Sequence, residues 1–301
     1  MTKLRTWIDN ERVAGWLMAG PALLGLTAFI AVPFLLATGL SFTNLRLGSP
    51  LPVQWVGLQQ YGRVLADAAF QRALLNNAVF AGVVVPLQTG LALLLALVLN
   101  REIRGRAIFR TLFFMPVVFP MALVAVIWEL IYAPGPNGLA NGFLGFVTMG
   151  AWEPQNILGD AYLALPAIIV LSIWQGVGFQ MIILLAGLQS IPEMLYDAAR
   201  VDGANRWGRF AHVTLPQLRN PLIFTALVTS ILALRVFDQV QIMTQGGPND
   251  ATTTVMFQTV RTVFERQQVG QASAMTVIFF VIVLVITWVQ RTLVKEEREI
   301  E

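Results

Sequence analysis

The sequence predicts an all-α membrane protein of six transmembrane helices with both termini in the cytoplasm. Three observations lead there. The 301 residues are 56% hydrophobic and 12% charged, where soluble domains are about a quarter charged. Six apolar stretches reach the roughly 20 residues that a helix needs to cross the hydrocarbon core. Basic residues gather on alternate sides of those stretches, which sets orientation.

The first stretch, residues 13–40, is far longer than the roughly 7–15 apolar residues of a cleavable signal core, so it reads as a retained span. Residues 1–12 then form a cytoplasmic N-terminus. The remaining spans are residues 76–99, 107–132, 161–188, 221–243 and 271–289, with 291–301 as a cytoplasmic tail. Residues 13–290 make one transmembrane domain. Of the 20 Lys and Arg residues, fourteen fall on the side of the termini, in four groups: Lys3 to Arg12, Arg101 to Arg110, Arg200 to Arg219 and Arg291 to Arg298. Five fall opposite, at Arg46, Arg63, Arg72, Arg261 and Arg266, and Arg235 lies within a span. The excess places the termini inside.

The outer connections carry breaker clusters, Ala133-Pro134-Gly135-Pro136-Asn137-Gly138 and Gly246-Gly247-Pro248-Asn249-Asp250. Residues 139–148 suit a short helix lying in the interface. Pro21, Pro33, Pro86, Pro116, Pro120 and Pro166 lie in or at the ends of spans. They are read as helix kinks, with Pro86, Pro116 and Pro120 as candidates for bending helices around a solute path.

The one long polar interruption is Ser190 to Pro216, between the fourth and fifth spans. It carries Glu193, Asp197, Arg200, Asp202, Arg206, Arg209 and the only histidine, His212. Ser190-Ile191-Pro192-Glu193 fits a capping box that opens a helix. Gly203 can take the left-handed conformation that ends it. Asn205 can cap a second helix over 206–215, which Pro216 would close or kink. Trp207 and Phe210, spaced i, i+3, could anchor that second helix on the bundle. Ala198, Ala199, Gly203 and Ala204 surround the bend and leave room for close approach by another protein. From composition alone, an amphipathic loop lying on the membrane fits equally well.

The segment resembles the cytoplasmic motif of binding-protein-dependent ABC importer permeases. Members carry Glu-Ala-Ala, three residues, Gly, then a Phe and a Leu-Pro. Here those positions hold Asp197-Ala198-Ala199, Gly203, Phe210 and Leu215-Pro216, with aspartate replacing glutamate. Trp174, Gly187-Leu188-Gln189, Ile191-Pro192, Phe109-Arg110, Phe114, Pro116 and Trp128 also resemble the family. Phe237, Thr244, Gly246-Gly247-Pro248 and residues 270–274 resemble its maltose-type, carbohydrate-importing branch. The match covers about 75–289, the core permease fold.

The resemblance implies a type I ABC importer transmembrane domain in the bacterial inner membrane, with residues 190–216 as the coupling loop that sits in a cleft of the ATPase. Asp197 would face basic groups of that subunit, Ala198 and Ala199 would give close packing, and Gly203 would make the bend, with Asp202 and Ala204 in the same coupling set. The implied partners are a second permease subunit of different sequence, two ATP-binding subunits and an extracytoplasmic solute-binding protein, besides membrane lipid. Nucleic acid is not expected, because the basic residues are scattered between apolar spans. No cofactor is expected on this chain, and ATP-Mg belongs to the partners.

The residues agree with a borrowed energy source. A P-loop needs a lysine after its glycines, and the lysines here, Lys3 and Lys295, follow none. With no cysteine, thiolate metal sites are excluded. No catalytic triad or metal-ligand spacing is evident, so the chain is not expected to be an enzyme. A self-sufficient secondary carrier or channel is the alternative, but such carriers usually bury several carboxylates or histidines. Here Glu129, Arg235 and Asp238 are the acidic or basic residues near or within spans.

Candidates for the solute path are Trp174, Gln175 and Gln180 on the fourth span and Arg235, Asp238, Gln239 and Gln241 on the fifth. Sugars are recognised by amides and aromatic faces, which these residues supply. Arg235 and Asp238, three apart, suit a helix-face pair. Alternatively Arg235 meets an anionic group on the solute.

Overall fold

The computed structural model describes residues 11–136 and 138–293. Lys3, Arg5, Asn137, Lys295 and Arg298 lie outside the described residues, as do most of the expected N-terminus and tail. Among the described residues five helices are long and apolar enough to cross a membrane, or six if a bent pair counts as one span.

The described residues form two compact units. One comprises 11–66 and 259–280. Its first helix α1 (Glu11–Leu26) continues through a π-helical turn, Thr27–Ala31, into α2 (Val32–Leu40). No residue of the turn or of α2 is buried, as suits a span whose solvent is lipid. After α2 the chain is pinned by a short antiparallel bridge, Thr43 to Trp55, and by Phe42 stacked on Trp55 at 5.1 Å. A helix α3 (Gln59–Ala66) follows.

The other unit comprises 67–258 and 281–293 among the described residues. Asp67 caps α4 (Ala68–Leu99) by accepting from the Ala69 N–H at 2.9 Å. The helix passes through Pro86 unbroken. The third expected span, residues 107–132, is two helices, α5 (Arg106–Val118) and α6 (Met121–Ile131), bent by 101°. The bend sits at Pro120, whose ring holds Phe119 in extended backbone, φ −79° and ψ 139°. Pro116 stays inside α5.

The short helix expected over residues 139–148 is α7 (Leu139–Val147). Its buried Asn141 accepts from Trp152 Nε1 at 3.0 Å and donates to the Gln155 carbonyl at 2.8 Å. The fourth span, α8 (Ala164–Gln189), is the most buried of the spans and packs on α4 and α5. Phe80, Val84, Ile168, Leu171 and Val240 fill one core, and Ala92, Ala96, Met181, Leu184 and Leu218 fill another.

The fifth span is also broken. Helix α9 (Glu193–Val201), α10 (Arg206–Arg209), a π-helical turn at Phe210–Thr214 and α11 (Leu215–Gln217) precede it. The span itself is α12 (Arg219–Leu234) followed by α13 (Asp238–Met243). Breaking a helix in the membrane leaves backbone carbonyls that must find donors. Asn77 Nδ2 donates to Leu234 O at 3.0 Å and Thr254 Oγ1 to Val236 O at 3.0 Å. Helices α14 (Val255–Phe264) and α15 (Val269–Leu293) complete the described residues.

Candidate functional site

Two places in the unit built around α8 carry the predicted site residues. The first is the polar loop. Its bend is a complete Schellman closure of α9. The Ala204 N–H reaches Ala199 O at 2.9 Å and the Gly203 N–H reaches Arg200 O at 3.0 Å. Gly203 has φ +77°, and a Cβ built there would meet nothing within 4 Å. The bend therefore needs glycine for its backbone, while the space beside it is open. Asn205 caps α10 as expected, accepting from the Gly208 N–H at 2.8 Å.

The structure corrects three details of the loop. Ser190 does not form the capping box. Its Oγ turns back to donate to Gly187 O at 2.8 Å, and α9 starts at Glu193 with Pro192 as an N-cap that makes no side-chain bond. The second helix does not close at Leu215. A π-helical turn widens at Phe210–Thr214, and the chain runs on through Pro216, because the wider turn accommodates a residue without an N–H. Trp207 does not anchor the helix. It is 79% exposed and meets Phe210 edge-on at 6.3 Å. The anchor is the fully buried Leu218, helped by a hydrogen bond between Tyr196 Oη and Thr214 Oγ1 at 3.0 Å.

Outward, the loop presents Asp197, Ala198, Asp202 and Gly203, all exposed, with Ala199 and Ala204 half-buried. Exposed apolar side chains, Met194 and Val201, lie on the same helix as Asp197. Asp197 pairs with Arg200 at 2.7 Å, one turn away in solvent; such a pair contributes ~0–1 kcal/mol and exchanges readily for another partner. Exposed His212 lies 3.0 Å from Gly208 O through Nδ1 and belongs to no metal-ligating group among the described residues. Inward, both ends of the loop are seated hard. A Cβ on Gly187 would press on Pro221 and Leu218 at 2.8 and 3.0 Å. An exposed contact face and a close-packed base suit a part that receives a push and passes it to the helices.

The second place is a cavity of about 90 Å³ between α4, α6, α8, α12 and α13. Its polar lining is Gln88, Ser172, Gln175, Thr229 and Gln239, set among the apolar Phe80, Val84, Met121, Leu232 and Ala233. Gln239 Nε2 donates to Ser172 Oγ at 3.1 Å. Gln175 Nε2 donates to Phe119 O at 3.3 Å, the carbonyl freed by the α5–α6 bend. Gln180 Nε2 donates to Thr229 Oγ1, while Gln180 Oε1 and Thr225 Oγ1 are buried with no hydrogen-bond partner. Two glycines set the spacing. A side chain on Gly176 would displace Gln88 Nε2, and one on Gly178 would strike the Phe113 backbone.

Of the sequence-predicted path residues, Gln175 and Gln239 line this cavity and Gln180 bonds to its lining. Trp174 instead packs on Trp128 with ring centroids 5.5 Å apart. Arg235, Asp238 and Gln241 are exposed. Arg235 and Asp238 form no ion pair with each other, because the helix ends at Leu234 and restarts at Asp238, so the i, i+3 relation is lost. Gln88, Ser172 and Thr229 escaped sequence reasoning. Their signal was periodic: Ser172, Gln175 and Gly176 share a helix face at i, i+3, i+4, as Thr225 and Thr229 do at i, i+4.

Comparison with known proteins gives a consistent result. The family described as binding-protein-dependent transport system inner membrane component matches residues 88–299. The trehalose/maltose transport system permease protein of Thermococcus litoralis is 36% identical over 279 residues, covering 92% of each chain. The lactose transport system permease protein of Rhizobium radiobacter is 33% identical over 246 residues, covering 81% of this chain and 80% of its own. Among solved structures, a chain of a bacterial ABC transporter for the acidic polysaccharide alginate superposes with a TM-score of 0.81, covering 97% of this chain and 98% of its own at 23% identity.

Proposed function

The chain belongs to the family of binding-protein-dependent transport system inner membrane components, and from that premise we propose that it carries a carbohydrate and is driven through residues 190–216. It is a permease subunit of an ABC importer, a multi-pass inner-membrane protein, and ATP hydrolysis resides on a separate subunit. A self-sufficient carrier is not favoured.

The carbohydrate reading rests on the relatives named for trehalose, maltose and lactose and on the amide-lined cavity, since hydroxyl-rich solutes are recognised by paired donors and acceptors. Gln175, Gln239, Ser172 and Gln88 are its proposed contacts, with Gln180 holding Thr229 in place. The orientation follows from the basic-residue excess, with the loop and termini inside. Two ATP-binding subunits and a second permease subunit of different sequence complete the complex, and an extracytoplasmic binding protein delivers the solute. ATP and its magnesium stay on the ATP-binding subunits.

The observation that carries the coupling role is the Schellman bend at Gly203, with open space outside it and Leu218 locked beneath the loop. Asp197, Ala198, Ala199, Asp202, Gly203 and Ala204 would enter a cleft of the ATPase. Gly203→Trp tests this in the assembled complex. Uptake and solute-stimulated ATP hydrolysis should both fall together, because a bulky side chain with strained backbone at the bend moves the whole contact face. Retention of both at wild-type rates would remove the coupling role.

A further inference from the structure

A cavity of about 610 Å³ lies where the end of α6, the helix α7 and the start of α8 meet. Its size is that of a preformed ligand cleft. Trp128, Tyr132, Phe143, Trp152, Pro166 and Val170 are among its walls, and no lining side chain is charged. The polar atoms of the lining are nearly all spent. Tyr132 Oη donates to Ala167 O at 3.2 Å and Trp152 Nε1 to Asn141 Oδ1 at 3.0 Å. Trp128 Nε1 is the one side-chain donor of the lining that makes no hydrogen bond among the described residues. One donor is too few for a sugar or a file of waters, each of which needs several partners.

The walls are held from behind. Buried Asn141 ties α7 to the chain that returns to α8, donating to Gln155 O at 2.8 Å and accepting from the Gln155 N–H at 3.1 Å. Gly138 lets α7 start close to the end of α6, since a Cβ there would strike Ala133 O.

Two observations say what fills the cavity. With 3.6 residues per turn, Pro166, Ala167 and Val170 lie on one face of α8, whereas Ser172, Gln175 and Gly176, which line the amide-bearing cavity, lie on the opposite face. A partner that shares the solute path meets the amide face, so the apolar cavity looks away from it, toward lipid. At the mouth, Leu139 and Phe143 both line the cavity and are exposed. Exposed Phe146, three residues on from Phe143, extends the same apolar surface. In a bilayer such a mouth opens on hydrocarbon. An empty cavity would forfeit dispersion contacts all round, and an alkyl chain supplies them without asking for a hydrogen bond.

With the orientation proposed above, the connection from α6 to α8 is extracytoplasmic. We propose that this cavity binds one acyl chain of a phospholipid from the outer leaflet. The inference goes beyond the importer reading and takes from it the orientation and the partner's place on the solute path. Because α6 follows the 101° bend, the bound chain props the bent half of one span against the next.

The test uses the complete importer in liposomes that contain, as a minor component, a phosphatidylcholine with a diazirine at the end of one acyl chain. After illumination, labelled residues are mapped by mass spectrometry. Label should concentrate on residues 128–132, 139–144 and 163–170, above the exposed apolar face of α15 at Val281, Leu284 and Val285. Ala140→Trp, which fills the cavity from α7, should abolish the cavity label and leave the α15 label unchanged, the control for folding. Val170→Trp fills it from α8 and should do the same, so one misfolded variant leaves the other to decide. Equal labelling of the cavity and α15 would mean general lipid contact and would overturn the proposal. Cavity label that survives both substitutions would do so as well. The chain has no cysteine of its own, and cross-linking of a Phe143→Cys variant to the second permease subunit would put protein there instead of lipid. Cavity label from a probe confined to the cytoplasmic leaflet would overturn the assignment to the outer one. None of these outcomes reads uptake, so each is distinguishable from failure of the importer reading.

Discussion

The polar loop and the amide-lined cavity belong to the same compact unit and are built in opposite ways. The loop is assembled from neighbours in sequence. Its bend, caps and ion pair join residues three to five apart, as in Ala204 to Ala199, Gly208 to Asn205 and Arg200 to Asp197. The cavity is assembled from residues far apart. Gln239 reaches Ser172 across 67 positions, Gln180 reaches Thr229 across 49, and Asn77 holds Leu234 across 157. The loop faces water, where a polar group is satisfied whatever its neighbours do. The cavity lies among apolar spans, where an unpaired amide costs free energy. An exposed loop can thus be specified locally, while a cavity between spans depends on the whole bundle.

That contrast can be broken by substitutions, taken from the largest effect to the smallest. Gly178→Leu drives a side chain into the Phe113 backbone and should destabilise the chain by about 3 kcal/mol, the upper range for overpacking. Denaturant titration in detergent micelles would read this as a lower midpoint. A wild-type midpoint would mean that α5 and α8 are not in close contact. Asn77→Ala removes the donor to Leu234 O and the acceptor for the Val255 N–H. A loss of about 1–2 kcal/mol follows, since hydrogen bonds in membranes contribute less than the cost of burying unpaired groups alone suggests. Hydrogen exchange at Val255 should rise in parallel. Asn205→Ala deletes a solvent-exposed N-cap and should cost ~1 kcal/mol locally. The loop amides from 206 to 208 should exchange faster, with the global midpoint unmoved. If the global midpoint fell as far as in Asn77→Ala, the loop would be part of the cooperative core and the distinction would fail.

The parts of the site that were legible in advance follow the same division. Gly203 was readable because a left-handed residue after an amphipathic turn is a local requirement that glycine meets without strain. Asn205 was readable because its side chain bonds three residues ahead. Ser190 misled because the same hydroxyl can bond backward to Gly187 O as easily as forward, and sequence does not rank the two. Trp207 misled because i, i+3 spacing with Phe210 says that the two rings meet, not that they are buried. Arg235 and Asp238 misled because their pairing assumes one continuous helix, and Asn77 and Thr254 hold that helix open from elsewhere in the chain.

By itself, the sequence determined the class of protein and the bend of its polar loop. Apolar length dictates spanning helices, because the hydrocarbon core has a fixed thickness. A polar island between two spans must face water, and its glycine and asparagine set the bend. The tertiary structure decided where the spans break and what the breaks expose. Proline at 120 permits a bend, and at its 101° angle the freed Phe119 carbonyl accepts from Gln175 on another helix. Gln88, Ser172 and Thr229 are ordinary polar residues in three separate helices until packing brings those helices together, with Gly176 leaving the room that Gln88 takes. Contacts within one turn are encoded by spacing along the chain, whereas contacts between helices depend on how close their backbones come, and small side chains at the crossing set that distance.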